Sequence, residues 1–265
     1  MGNLQRENKM AYSGAVALVT GGGSGMGRIA ARNCAKTGAA VAILDLNEEG
    51  MAETAREFPN IHSYTIDITD AERVQQVVAQ IEAELGPIDR LYNAAGIMPF
   101  GKLLEMDGQL AKKIMDINYG GLVNITQAAL PAMVARGRGE FISFASMAGW
   151  FPLLLAGAYN ASKFAVVAYT EVLYHENINS GVQFACVCPN VVKTPLLQQA
   201  RDTVWPKMMD SGATQEPAEI LDAIEASLEK GEFWVFPSKD ARLGWRMRRW
   251  FPGLMWKQVH KTEGW

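Results

Sequence analysis

Between residues 15 and 235, short apolar runs alternate with longer stretches in which apolar residues recur every three to four positions. Strands buried on both faces produce the first pattern, and the helices that cover them produce the second. The runs predict strands at 16–20, 40–45, 62–66, 90–93, 140–144, 183–187 and 233–235. Val74, Val77, Val78 and Ile81 illustrate the helical stretches, their spacing drawing one apolar stripe down one face. No linker or internal repeat interrupts the alternation, so it reads as successive βαβ units. The predicted fold class is α/β: a doubly wound, Rossmann-type parallel sheet of about seven strands with helices on both faces. A chain of 265 residues fits one such domain. Its expected limits are 13–238, after a flexible polar tail at 1–12 and before an aromatic and basic extension at 239–265.

Composition narrows the classes of function. With 49% hydrophobic and 20% charged residues the chain is globular in character, and no apolar run approaches the roughly 20 residues of a membrane span. The net charge of -3 offers nucleic acid no overall attraction. Cys34, Cys186 and Cys188 lie in apolar surroundings, which argues for core thiols, a reducing compartment and a cytoplasmic location. His175-Glu176 lacks the second histidine one turn on that a helix-borne zinc site requires, so no metal is expected. Met1-Gly2 is followed by Arg6 where a myristoylation signal has Ser or Thr, and no apolar signal segment follows.

The first strand leads into Thr20-Gly21-Gly22-Gly23-Ser24-Gly25-Met26-Gly27 and then a helix through Ile29, Ala30 and Cys34. Glycines allow a phosphate close to the backbone, and the helix N-terminus favours its charge. Arg28-Ile29 replace the Lys and Ser or Thr of an ATPase phosphate loop, and GxGxxG spacing is absent. The loop matches TGxxxGxG instead. Further on come Asp45 closing the second strand, Asp67 after the third, Asn93-Ala94-Ala95-Gly96 after the fourth, Ser146 after the fifth, and Tyr159-Asn160-Ala161-Ser162-Lys163 opening a helix. In this order the motifs resemble the short-chain dehydrogenase/reductase family almost end to end. Ala94 and Asn190 depart from the family's usual Asn and Gly.

Asp45 points to NAD, because a carboxylate there accepts bonds from both ribose hydroxyls and repels a 2′-phosphate; its alternative role is to cap the helix beginning near Glu48. The resemblance implies cofactor contacts at Gly21, Ser24, Gly25, Met26, Gly27, Asp45, Leu46, Asp67, Ile68, Asn93, Ala94 and Gly96, and then at Tyr159, Lys163, Pro189, Val192 and Thr194. Tyr159 and Lys163 project from one helix face one turn apart, and an ammonium beside a phenol shifts it toward phenolate. By resemblance Ser146 positions the substrate oxygen, Tyr159 exchanges its proton, Lys163 holds the cofactor ribose, and Asn118 anchors a water relay. The implied reaction is oxidation of an alcohol to a carbonyl or its reverse, in a homo-oligomer, a tetramer or dimer.

Apolar residues crowd the segments beside the reacting carbon. The expected substrate contacts are Met98, Ser146, Ala148, Trp150, Tyr159, Asn190, Leu196 and Leu197, with Leu153, Trp205, Met208 and Met209 nearby and a substrate lid at 195–215. Walls of this kind suit a bulky hydrophobic secondary alcohol or ketone, steroid-like, terpenoid-like or aromatic. The alternatives are a dehydrogenase for polar hydroxy substrates and a catalytically silent dinucleotide-binding regulator or scaffold. Trp245, Trp250, Phe251, Leu254, Met255 and Trp256, interleaved with Arg246, Arg248, Arg249 and Lys257, leave three readings of the extension: an arm over a neighbouring subunit, part of a lid, or a membrane contact.

Overall fold

The structure is a computed structural model that describes residues 14–210 and 214–264. The tail expected at 1–12, and positions 211–213 of the expected lid, lie outside the described residues. The strands are β1 (Val16–Thr20), β2 (Ala40–Asp45), β3 (Ile61–Thr65), β4 (Arg90–Asn93), β5 (Gly139–Phe144), β6 (Val182–Val187) and β7 (Trp234–Val235). They form one parallel sheet in the order β3-β2-β1-β4-β5-β6-β7. Several ends differ from the sequence reading by one residue, as strand ends commonly do.

β1 explains why the central strands read as unbroken apolar runs. Val16 and Leu18 enter the core on one face of the sheet while Ala17 and Val19 enter the core on the other. The first face is covered by α3 (Ala71–Leu85), α5 (Gly121–Arg136) and α6 (Gly157–Glu176), and the second by α1 (Gly25–Lys36), α2 (Glu48–Ala55) and α8 (Pro217–Glu229). Val74, Val77, Val78 and Ile81 are all buried along α3, as their spacing predicts. Arg90 on β4 is 1% exposed and pairs with Glu140 on β5 and Glu225 on α8, pinning two strands to a helix.

Between β1 and β4 the chain leaves the sheet in opposite directions, which opens a crevice at the strands' C-terminal ends. Around it lie α4 (Gly108–Met115), a π-helical turn at Asp116–Gly120, a 3-10 turn at Met147–Gly149, and α7 (Pro195–Arg201). The extension forms two helices, α9 (Lys239–Trp250) and α10 (Pro252–Glu263). They fold onto their own chain: Ala241, Met255 and Val259 are buried, and the Glu263 carboxylate accepts the N–H groups of Lys207 at 3.1 Å and Met208 at 2.8 Å.

Candidate active site

Thr20, at the end of β1, holds the crevice together. Its hydroxyl donates to Asn93 Oδ1 at 3.1 Å and accepts from the N–H groups of Ala94 and Ala95 at 3.1 Å. Gly21 follows with φ of +69°, and a Cβ there would lie 2.9 Å from the Ala95 backbone; one on Gly27 would come within 2.2 Å of the Gly21 carbonyl. Only glycine fits this tight cradle. Ser24 precedes α1 without capping it through its side chain, so the N-terminal N–H groups stay available to a phosphate. Gly21, Ser24, Gly25, Met26 and Gly27 line a cavity of about 310 Å³, with Asp45, Leu46, Asp67, Ile68, Ala94 and Gly96. Those residues suit a dinucleotide, phosphates at the helix end and ribose at the carboxylate.

Asp45 is not the cap of α2. Asn47 is, its side-chain oxygen accepting the Gly50 N–H at 2.9 Å. The Asp45 carboxylate instead accepts the N–H of Gly23 and of Asn47, each at 2.9 Å, while still facing the cavity.

A second cavity, of about 350 Å³, adjoins the first and shares Met26, Ala94, Gly96, Thr194 and Leu196 with it. Ser146, Tyr159 and Lys163 all line it. Ser146 ends the β5 loop in an extended conformation, its oxygen accepting the Ala148 N–H at 3.0 Å. Tyr159 lies in the first turn of α6 beside Phe100, with ring centroids 6.0 Å apart. Gly149 lets the Ser146 turn settle against α6, since a Cβ there would be 2.6 Å from the Lys163 carbonyl. Leu155, just ahead of α6, has φ of +67°, a strained value for a branched side chain, and its carbonyl is held by the Gly101 N–H at 2.7 Å.

The titration of this pair departs from expectation. Burial pushes the Tyr159 phenol up to about 12, with the Ser146 hydrogen bond pulling the other way. Burial also pushes the Lys163 ammonium down to about 8. Lys163 donates to the Phe144 carbonyl at 2.7 Å and stands 5.8 Å from the centre of the Tyr159 ring. Desolvation therefore sets the direction of both shifts.

Three expected site residues are placed differently. Trp150 does not reach the chamber: past the 3-10 turn its indole packs edge-on against Trp234 and Trp245 at 5.1 and 5.9 Å, its N–H meeting Cys188 Sγ at 3.4 Å. A large ring with one donor finds its partner in that cluster, and Phe151 lines the chamber instead. Asn93 lines neither cavity and serves the Thr20 bridge. Asn118, in the π-helical turn, also lines neither; it donates to the Ile97 carbonyl at 3.0 Å and the Ser162 hydroxyl at 2.9 Å, and accepts the Ile97 N–H at 2.8 Å. Since Ser162 bonds the Tyr159 carbonyl at 2.8 Å, Asn118 ties the β4 loop to the helix that carries Tyr159.

The remaining expected residues line a cavity. Met98, Ala148, Pro189, Asn190, Val192, Leu196 and Leu197 are in the chamber wall, and Thr194 lies in both cavities. Asn190 keeps an ordinary negative φ and donates to Ser238 Oγ at 3.1 Å, so its side chain links the loop to the start of α9. Several contacts carry no local sequence signal. Gln199 and Thr203, in and just after α7, accept the N–H groups of Met98 and Phe100 at 3.0 Å, and Asp240 and Gly244 of α9 complete the chamber.

The family model described as short chain dehydrogenase matches residues 15–205. Epidermal retinol dehydrogenase 2 of Homo sapiens is 34% identical over 194 residues, 70% of this chain but only 63% of that relative's length. Estradiol 17-beta-dehydrogenase 11 of Pongo abelii is 28% identical over 245 residues, 89% of this chain and 79% of the relative. A short chain dehydrogenase/reductase from Burkholderia phymatum, solved in complex with NAD, has the same fold, with a TM-score of 0.83 and 23% identity over 92% of this chain and 96% of that one.

Proposed function

The chain belongs to the short chain dehydrogenase family of oxidoreductases, and from that premise we propose that it transfers a hydride between NAD and a bulky, uncharged secondary alcohol or ketone. The observation that carries this reading is the pair of joined cavities, a glycine cradle opening into a chamber where Ser146 and Tyr159 meet apolar walls. NAD, when bound, supplies the carbon that accepts or returns the hydride. The rest falls to the chain's own groups. The Ser146 hydroxyl holds the substrate oxygen. Tyr159, kept protonated by burial, donates its proton to a carbonyl oxygen during reduction and receives one from the alcohol during oxidation. The Lys163 ammonium beneath the ring offsets the negative charge of the phenolate. Met98, Phe100, Leu153 and Met209 keep water from the reacting carbon.

Asp45 supports NAD over NADP, since its carboxylate faces the first cavity where a 2′-phosphate would be repelled. The apolar chamber supports a lipophilic substrate, and the names of the retinol and estradiol relatives agree with it. Joint retention of Ser146, Tyr159 and Lys163 disfavours a silent module, and the three buried free thiols suit a reducing compartment such as the cytoplasm. By family resemblance the assembly is a homo-oligomer. Tyr159→Phe is expected to lower turnover by at least about a thousandfold while NAD affinity, read by titration calorimetry, stays within about threefold. A variant retaining a tenth of the wild-type rate would remove Tyr159 from its role. Steady-state kcat/KM across steroid, alicyclic and aromatic alcohols against polyols and hydroxy acids tests the substrate class, and preference for the polar set would overturn it.

A further inference from the structure

We propose that the α9–α10 segment docks the protein on an anionic phospholipid bilayer through the face of α9 turned away from the substrate chamber. Residues 239–264 carry seven Lys or Arg against two carboxylates, in a chain whose net charge is -3. On α9, Arg242, Leu243, Arg246, Arg249 and Trp250 are exposed, and their spacing places them on one helical face. Trp250, Phe251 and Leu254, 71%, 57% and 60% exposed, cluster in sequence at the corner where α9 passes into α10. Isolated exposed apolar residues are ordinary, but two aromatics and a leucine within five positions, flanked by cations, make an interfacial pattern. Rings and aliphatic chains enter the headgroup layer while the cations meet lipid phosphates.

A separate feature points to the same ligand. Lys239, Arg242 and Arg246 surround a surface hollow of about 370 Å³ whose other walls include Phe236, Pro237 and Leu243. Three cations beside apolar walls fit a phosphodiester with its glycerol backbone. Among the described residues none of these three cations has a carboxylate partner. The segment also joins the chamber twice, through the wall residues Asp240 and Gly244 and through the bonds of Glu263 to Lys207 and Met208. By the helical repeat the wall residues Asp240 and Gly244 lie on the other side of α9 from the cationic face, so a bilayer there would be separated from the chamber by the width of α9. The entry of substrate from lipid rests on the lipophilic reading above; the docking itself does not.

The test is co-sedimentation of the full chain with vesicles of phosphatidylcholine alone or with about 30% phosphatidylserine, at about 0.1 and 0.5 M salt, alongside light scattering of the free protein. Binding is expected to be at least about tenfold stronger to the anionic vesicles and to weaken with salt. Arg242→Gln with Arg246→Gln should reduce it at least about tenfold. Trp250→Ser with Phe251→Ser should reduce it at both salt concentrations while leaving turnover of a water-soluble alcohol unchanged, since neither side chain lines a cavity. No binding, or equal binding to neutral and anionic vesicles, overturns the proposal. So does a change of oligomeric state in the Trp250/Phe251 variant without vesicle binding, which would make this face a contact between copies. Binding of glycerol phosphate without vesicle binding would likewise replace the bilayer with a free anion.

Discussion

Asp45→Asn separates two roles that one carboxylate plays. The side chain accepts the Gly23 and Asn47 N–H groups at 2.9 Å each, and it also faces the dinucleotide cavity. A 2′-phosphate about 5 Å away, with a charge near -2, is repelled by roughly 1.5–3 kcal/mol at effective dielectric constants of about 80 to 40. That repulsion corresponds to about ten- to hundredfold in affinity. Loss of the charge-assisted bonds to the ribose hydroxyls of NAD adds about tenfold in the same direction. The NAD-to-NADP ratio of kcat/KM should therefore fall by about two to three orders of magnitude. The amide keeps one acceptor oxygen, so one loop bond survives and the structural cost is about 1–2 kcal/mol, discounted for partial exposure. Measuring the ratio at about 0.1 and 1 M salt isolates the electrostatic part, because screening shortens from about 10 to 3 Å. A falling melting temperature with a ratio changed less than about threefold would refute the reasoning and leave Asp45 as a loop pin alone.

Carbonyl reduction needs a protonated Tyr159 and a charged Lys163, so its kcat/KM should be flat at low pH and decline as pH rises through about 8, whereas alcohol oxidation should gain with pH; a reduction rate flat to pH 10 contradicts this. Because folding lowers the Lys163 value from 10.5 to about 8, holding the charge costs stability below about pH 8, and the cost is relieved as pH climbs toward 10.5. Urea unfolding should accordingly find Lys163→Met gaining on wild type by up to about 3 kcal/mol at pH 7 and losing that advantage near pH 10, and a constant difference would argue against it. Arg90→Ala removes a buried charge from Glu140 and Glu225 and should destabilise the fold by about 3–5 kcal/mol, visible as a large drop in the urea midpoint; a loss below about 1 kcal/mol would mean the ion pairs are dispensable.

Features set by neighbours along the chain were legible in the sequence. The central strands are runs that must be apolar because both of their faces are covered, so their places followed from the pattern of apolar positions along the chain; edge strand β3, with Ser63 and Thr65 exposed, is more polar. The phosphate cradle is contiguous, and the clash that leaves only glycine at Gly27 comes from the Gly21 carbonyl six positions back, although at Gly21 the backbone of distant Ala95 adds to the local positive φ. Tyr159 and Lys163 share a face because the helix repeat requires it. Other features depended on surfaces brought together from far apart. Trp150 could be placed next to Ser146 but not aimed, because the rings that capture it come from β7 and α9. The bond from Asn190 to Ser238, the wall positions of Asp240 and Gly244, and the hold of Glu263 on Lys207 and Met208 all join segments about 20 to 100 positions apart in the chain. The same holds for charge. A sequence puts an ammonium one turn from a phenol, but the direction in which that phenol shifts is set by how much water the whole fold removes from around it, and here burial raises it.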